Sequence, residues 1–192
     1  MSWNSSPDFW YLCGISEDAY IHVDRKNGNY EFDLDTISKD WLFIIQPIIK
    51  DLINKDVPIR KHTNRPHHRL RFWNKNLVIQ LYSIKYNPEI ILTINLDFQK
   101  QWIAGFFDAE GSATTMASNS PQLSFYSSNS QKISIIQKIL KRISIKSGIY
   151  TPKNRNVQQL FLTSRGTVRK FFRLIHVRHP EKHKRIQSFF TT

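Results

Sequence analysis

Two stretches of the 192-residue chain carry the reading: Leu12-Cys-Gly-Ile-Ser-Glu-Asp18 and Ile103-Ala-Gly-Phe-Phe-Asp-Ala-Glu110. Both are apolar runs that end on carboxylates, and Asp18 stands opposite Glu110 at an offset of 92. Nearly the same offset recurs twice more. Ile44-Ile-Gln-Pro-Ile-Ile-Lys50 returns as Ile135-Ile-Gln-Lys-Ile-Leu-Lys141, 91 residues on with five of seven identities, and Arg69-Leu-Arg-Phe72 faces Gln159-Leu-Phe-Leu162 at 90. Three matches in one order, with offsets drifting by single residues, mark an internal duplication. The period is too long for a solenoid, so it describes two halves related by a pseudo-twofold. The expected division is 1–95 and 96–192, with one acidic motif in each (11–19 and 103–111).

Outward from the motifs, each half reads helix-strand-strand-helix-strand-strand-helix. An apolar helix over about 9–18, matched at about 98–110, puts its acid at the carboxyl end. Tyr20–Asp24 and Tyr30–Leu34 alternate polar and apolar around Asn27-Gly28, the pattern of a hairpin. Ser38 opens an amphipathic helix reaching about Asn54, with Ile44, Ile45, Ile48, Ile49 and Leu52 at helical spacing. A second hairpin pairs Val57–His62 with Arg69–Trp73, and a helix over Asn74–Tyr86 stops before Asn87-Pro88. The second half repeats this with strands near 112–118, 121–127, 147–153 and 157–163 and helices near 129–143 and 164–175. A short basic helix at about 181–190 follows Pro180. The fold class is α+β: two antiparallel sheets, each with helices on one face, side by side as a saddle.

Composition narrows the function. Lys and Arg number 28 against 15 Asp and Glu, a net charge of +13. The excess is one-sided: residues 1–56 hold 5 basic and 10 acidic side chains, and residues 57–192 hold 23 and 5. This fits a polyanion partner, because Lys and Arg gain affinity by displacing counterions from phosphate. Cys13 is the single cysteine, which excludes an internal disulfide and a cysteine-based zinc finger. The longest apolar stretch, Trp41–Ile53, is cut by Gln46, Pro47, Lys50 and Asp51 and falls short of the roughly 18 residues a membrane span needs. Met1–Pro7 lacks the basic and apolar regions of a signal peptide. The expected setting is intracellular, not secreted and not membrane-bound.

Gly105 and Ala109 lie one turn apart on one helix face, where another backbone can come close. With Cys13 and Gly14 as the facing surface, the two motif helices would pack across the pseudo-twofold. Their carboxyl ends would then bring Asp18 and Glu110 together between the sheets. Two adjacent carboxylates repel, so a shared pair calls for a divalent cation or a raised pKa. With phosphate as substrate the expected ion is Mg²⁺, which takes hard oxygen ligands and keeps several waters.

Ile103-Ala-Gly-Phe-Phe-Asp-Ala-Glu-Gly111 resembles the nine-residue LAGLIDADG motif, and the chain is similar to the two-motif monomeric LAGLIDADG homing endonucleases of the intron-encoded kind. Ala104, Gly105, Asp108, Ala109 and Gly111 fall where the family has them, with Glu110 at the catalytic acid. The first copy is degenerate. Anchoring it on Asp18 puts Cys13 at the motif's first glycine and Ala19 at its second, whereas anchoring on Gly14 puts Ala19 at the catalytic place. The strand start Tyr20-Ile21-His22 favours Asp18. The resemblance implies a site-specific double-strand DNA endonuclease acting on a long target, the insertion site of its intron. In it Asp18 and Glu110, with the backbone carbonyls of Glu17 and Ala109, hold Mg²⁺, or Mn²⁺ or Ca²⁺ in its place, at two scissile phosphates. Gln80 and Lys170, matched by the 90-residue offset, are then the peripheral residues that order water or stabilise charge. The resemblance also implies a monomer with no obligate protein partner, working beside the host genome in an archaeal cytoplasm or nucleoid or in an organelle. An intron RNA maturase and a non-catalytic DNA-binding regulator share the fold and stand as alternatives.

A two-stranded ribbon fits the major groove, and strand alternation sets which side chains would meet DNA. In the first half these are His22, Asp24, Glu31, Asp33, Arg60, His62, Arg69 and Arg71. In the second they are Thr114, Met116, Gln122, Ser124, Tyr126, Lys153, Arg155 and Gln159, with Phe161 at the margin. The basic run His176–Arg185 is expected to contact phosphate, and Thr63–Arg69 to form a hairpin tip along the DNA backbone.

Overall fold

The computed structural model describes residues 3–153 and 156–191. After a single turn of 3-10 helix at Trp3–Ser5, α1 (Pro7–Ile15) starts where the Ser6 hydroxyl accepts the Phe9 N–H, with Pro7 in the first turn. Every residue from Phe9 to Ile15 is buried, so α1 has no polar face and is a core element. The first half continues with β1 (Tyr20–Asp24), β2 (Asn29–Thr36), α2 (Lys39–Ile53), β3 (Ile59–Lys61), β4 (His68–Trp73) and α3 (Lys75–Tyr86). A 3-10 turn at Pro88–Leu92 leads to α4 (Leu96–Glu110), and the order repeats: β5 (Gly111–Thr115), β6 (Pro121–Ser127), α5 (Ser130–Arg142), β7 (Gly148–Tyr150), β8 (Gln158–Thr163) and α6 (Arg165–Leu174). A last helix, α7 (Pro180–Ser188), has no separate counterpart in the first half.

The two sheets have the same strand order, β1-β2-β4-β3 and β5-β6-β8-β7, all antiparallel. Ile21, Phe32, Leu34, Leu70 and Phe72 point under the first sheet into the core, and Leu123, Phe125, Leu160 and Leu162 do so under the second. Several expected boundaries shift. α1 stops at Ile15 instead of about 18, β3 and β7 shrink to three residues, and Pro180 opens α7 instead of preceding it. Ser38 stands at the N-cap of α2 but makes no side-chain capping bond.

The halves meet through α1 and α4. A Cβ added to Gly14 would lie 2.2 Å from the Trp102 carbonyl oxygen and 2.5 Å from the Phe106 nitrogen; one added to Gly105 would lie 2.0 Å from the Tyr11 oxygen and 3.0 Å from the Ile15 nitrogen. Both positions exclude any side chain. The contacts are reciprocal, which makes Gly14 and Gly105 equivalents at an offset of 91. Gly14, not Cys13, therefore supplies the close approach expected of the first motif.

Candidate active site and nucleic-acid interface

In the register set by the two glycines, Ala19 is the positional equivalent of Glu110, and Asp18 that of Ala109. The two motifs nevertheless end differently. α4 stays helical through Glu110, whereas α1 tightens beyond Ile15: the Glu17 N–H donates to Gly14 O at 3.3 Å and the Asp18 N–H to Ile15 O at 3.2 Å. The chain thus leaves the helix before Asp18, which stands one position ahead of the residue that matches Glu110 in the glycine register. Asp18 is exposed and Glu110 is half-buried. Burial raises the Glu110 pKa, and the charges of Asp18 and then Glu17 raise it further. Burial also raises Asp18, against the pull of Lys182 and Lys85. The carboxylates of the two halves thus feel one another.

Two lysines organise the motif ends. The Lys85 Nζ, at the end of α3, donates to the carbonyls of Ser16 (2.7 Å), Glu17 (3.1 Å) and Ala19 (2.9 Å). The Lys182 Nζ, in the first turn of α7, donates to those of Phe107 (3.0 Å), Asp108 (2.7 Å) and Ala109 (3.3 Å). Helix C-termini carry partial negative charge and unpaired carbonyls, and an ammonium satisfies both. Burial lowers Lys182 to about 8, so it remains mostly protonated at neutral pH. Lys85 is likewise lowered by burial. The carbonyls of Glu17 and Ala109, expected to face metal, therefore already accept from ammonium groups.

Gln80 and Lys170, expected at this periphery, lie elsewhere. Gln80 lines a separate cavity with Trp3, Leu52 and Asn74, and the Lys170 Nζ donates to the Ser144 carbonyl at 3.0 Å. The 90-residue offset that paired them holds from α3 to α6 (Lys75 to Arg165) but becomes 97 between Lys85 and Lys182. Seven residues are inserted between α6 and the lysine, and a constant offset overlooks the pair.

The insertion has its own task. The Arg178 and His179 N–H groups donate to Asp108 Oδ2 at 2.8 and 3.1 Å, and the Tyr11 hydroxyl donates to the same oxygen at 2.6 Å. The Arg178 guanidinium stacks over Tyr11 at 4.1 Å and reaches Asp8 and Gln101, while the His179 ring packs on Trp41. The basic run is thus a latch across both motif helices; Arg178, His179 and Lys182 are occupied within the protein and are not phosphate contacts. Glu17, the equivalent of Asp108, makes the reciprocal tie to Lys132 on α5, both nearly buried.

On the saddle, the first sheet presents charge. Arg69 and Arg71 pair with Asp33, Arg71 also with Glu31, and His67 and Arg65 of the hairpin tip with Asp35. Asp33 is buried beneath its arginines, and Asp24 accepts the N–H groups of Lys26 and Asn27 in the β1–β2 turn, so neither carboxylate is a free reader. His22 is half-buried beside Tyr20; Arg60 is exposed and His62 half-buried. In the second sheet Thr114, Met116 and Tyr126 are exposed and Gln122 and Gln159 half-buried, while Ser124 is buried between the two glutamines. Lys153 is exposed, and Arg155 lies outside the described residues.

Asp18 and Glu110 offer two hard carboxylate donors, and among the described residues no third His, Cys, Asp or Glu completes a metal-binding group. That set fits a Mg²⁺-like ion that takes its other ligands from water and phosphate. Among the described residues no helix is long and apolar enough to cross a membrane.

Residues 97–176 match the LAGLIDADG-like domain family. The homing endonuclease I-ApeI of Aeropyrum pernix is 25% identical over 198 residues, covering 93% of this chain and 85% of its own. An uncharacterized protein of Methanocaldococcus jannaschii is 25% identical over 157 residues, covering 80% of this chain and 55% of its own, so this chain spans about half of that relative. Among solved structures, one from the mesophilic variants of the homing endonuclease I-DmoI superposes with a TM-score of 0.71 at 22% identity, covering 90% of this chain and 97% of that one. I-DmoI has also been solved in complex with DNA and Mn.

Proposed function

We propose that this chain, whose second half is a LAGLIDADG-like domain and whose fold is that of the two-motif LAGLIDADG homing endonucleases, is a site-specific double-strand DNA endonuclease that requires a divalent metal. The observation that carries this reading is the repeated two-sheet architecture joined at the Gly14–Gly105 contact, with an acid, Asp18 or Glu110, at or just beyond the end of the motif helix of each half. A nuclease homologue of similar length and the DNA complexes of I-DmoI support it.

The two acids would hold the cation. When bound, it lowers the pKa of a water and stabilises the leaving 3′-oxygen. The chain's own residues prepare the place. Asp18 and Glu110 gather negative charge that repels two scissile phosphates unless a cation lies between them. Lys85 and Lys182 hold the motif ends in shape, so that both carboxylates are fixed before DNA arrives. Glu17–Lys132 and the Asp108 latch tie each motif to the opposite half, keeping the acids at a set separation. The protein would act as a monomer beside its host genome, on the DNA into which its own intron inserts.

The test uses a duplex spanning the uninterrupted insertion site, incubated with the protein in Mg²⁺, Mn²⁺ or chelator. Metal-dependent cutting of both strands is expected. Specific binding without cutting in either metal would transfer the reading to a DNA-binding regulator, and selective binding of the intron transcript to a maturase.

A further inference from the structure

We infer that the two sheets read half-sites of opposite composition: G·C pairs under the β1–β4 sheet and A·T pairs under the β5–β8 sheet. This deepens the endonuclease reading and rests on it. On the first sheet Asp33 and Asp35 of β2 pair in register with Arg71 and Arg69 of β4. Asp33 is 6% exposed and accepts from Arg71 Nε at 3.1 Å and Nη2 at 2.8 Å, while Arg69 forms an ion pair with Asp33 and Arg71 a second one with Glu31. A guanidinium held along one edge keeps its remaining N–H groups aimed outward and loses little rotamer freedom on binding. Its bidentate partner in the major groove is the O6/N7 edge of guanine. Asp33 lies buried beneath the arginines, so the guanidinium is the group that reaches the base, and a pair without the guanine edge leaves its outward N–H groups unmatched.

The facing positions of the second sheet carry no charge. Gln122 Nε2 and Gln159 Nε2 both donate to the buried Ser124 hydroxyl, at 2.9 and 2.8 Å. Gln159 Nε2 also donates to the Tyr126 hydroxyl at 3.4 Å, whereas Gln122 keeps its other N–H and its carbonyl oxygen as the donor–acceptor pair that matches adenine N7/N6. Met116, 41% exposed, adds an apolar surface for a thymine methyl.

The test is selection of bound duplexes from a randomised library by full-length protein carrying Glu110→Gln, in Ca²⁺ to prevent cutting. The expected site is lopsided, G·C-rich on one side and A·T-rich on the other. Arg71→Ala, and Arg71→Lys as the variant that keeps the charge and loses the fork, should relax preference by roughly 10- to 100-fold only on the G·C side. Gln122→Ala should do so only on the A·T side. A specific site of even composition, or Arg71 variants that relax the A·T side, would overturn the inference and leave the endonuclease reading intact. Failure to enrich any sequence would overturn both.

Discussion

At the scale of single residues, the proposed site needs Asp18 and Glu110 for their charge, while the two lysines at the motif ends matter through geometry. Glu110→Gln and Asp18→Asn keep shape and remove the charge a cation needs. Each should slow double-strand cleavage roughly 100-fold or more. DNA binding should persist or tighten, because a negative charge near phosphate is gone. Cleavage and gel-shift assays on one duplex separate the two effects. Full cutting by Asp18→Asn would show that the tightened turn after Ile15 does not deliver Asp18 to the site. Lys85→Met leaves the carbonyls of Ser16, Glu17 and Ala19 without their charged donor. It should cost about 2 kcal/mol in urea unfolding, and a change within a few tenths would contradict a capping role.

At the scale of elements, the α1–α4 contact and the latch laid over it decide whether the acids meet. Gly105→Ala would place a methyl 2.0 Å from the Tyr11 carbonyl, so the helices must separate. A loss of ~3 kcal/mol is expected in urea unfolding, with the acids drawn apart and cleavage lost as well. The latch has a pH signature. Burial raises Asp108 from its ordinary 3.8 to about 6 and lowers His179 from 6.5 to about 4. Asp108 holds a proton more readily folded than unfolded, so acidification from about pH 6 stabilises the fold through it. His179 gains its proton on unfolding, so acidification over about pH 6.5 to 4 destabilises it. Relative to the unmodified protein, Asp108→Asn should therefore lose stability as pH drops through this window and His179→Asn should gain it; differences in urea midpoint between pH 4 and 7 read the signs. The repeated element order was legible because Ile44–Lys50 and Ile135–Lys141 preserve helical spacing and Asn27-Gly28 marks a hairpin. The register of the first motif was misplaced, because anchoring on Asp18 set Cys13 at the glycine position that Gly14 occupies. Lys85 and Lys182 were not legible, since a seven-residue insertion breaks the offset. The pairing of Asp108 with Tyr11 was hidden too, because a contact across 97 residues between two apolar helices leaves no local pattern.

At the scale of the whole molecule, duplication gives two similar halves unequal charge: residues 1–95 hold 12 basic and 11 acidic side chains and residues 96–192 hold 16 and 4. Affinity for DNA should come mainly from the basic part. Five or more phosphate contacts correspond to a log–log slope of binding against salt of about −4 or steeper. A slope near zero, measured by fluorescence anisotropy, would contradict a phosphate-tracking saddle. The central claim is that one chain supplies both acids to one site and cuts both strands there. Its most direct test is strand-resolved cleavage of the insertion-site duplex in Mg²⁺, with the mass of the uncut complex in Ca²⁺ measured by light scattering. One protein chain per duplex, both strands cut by the unmodified protein, and both cuts lost with either Glu110→Gln or Asp18→Asn are expected. Two chains per duplex, or a protein that binds the site and cuts neither strand, would contradict it.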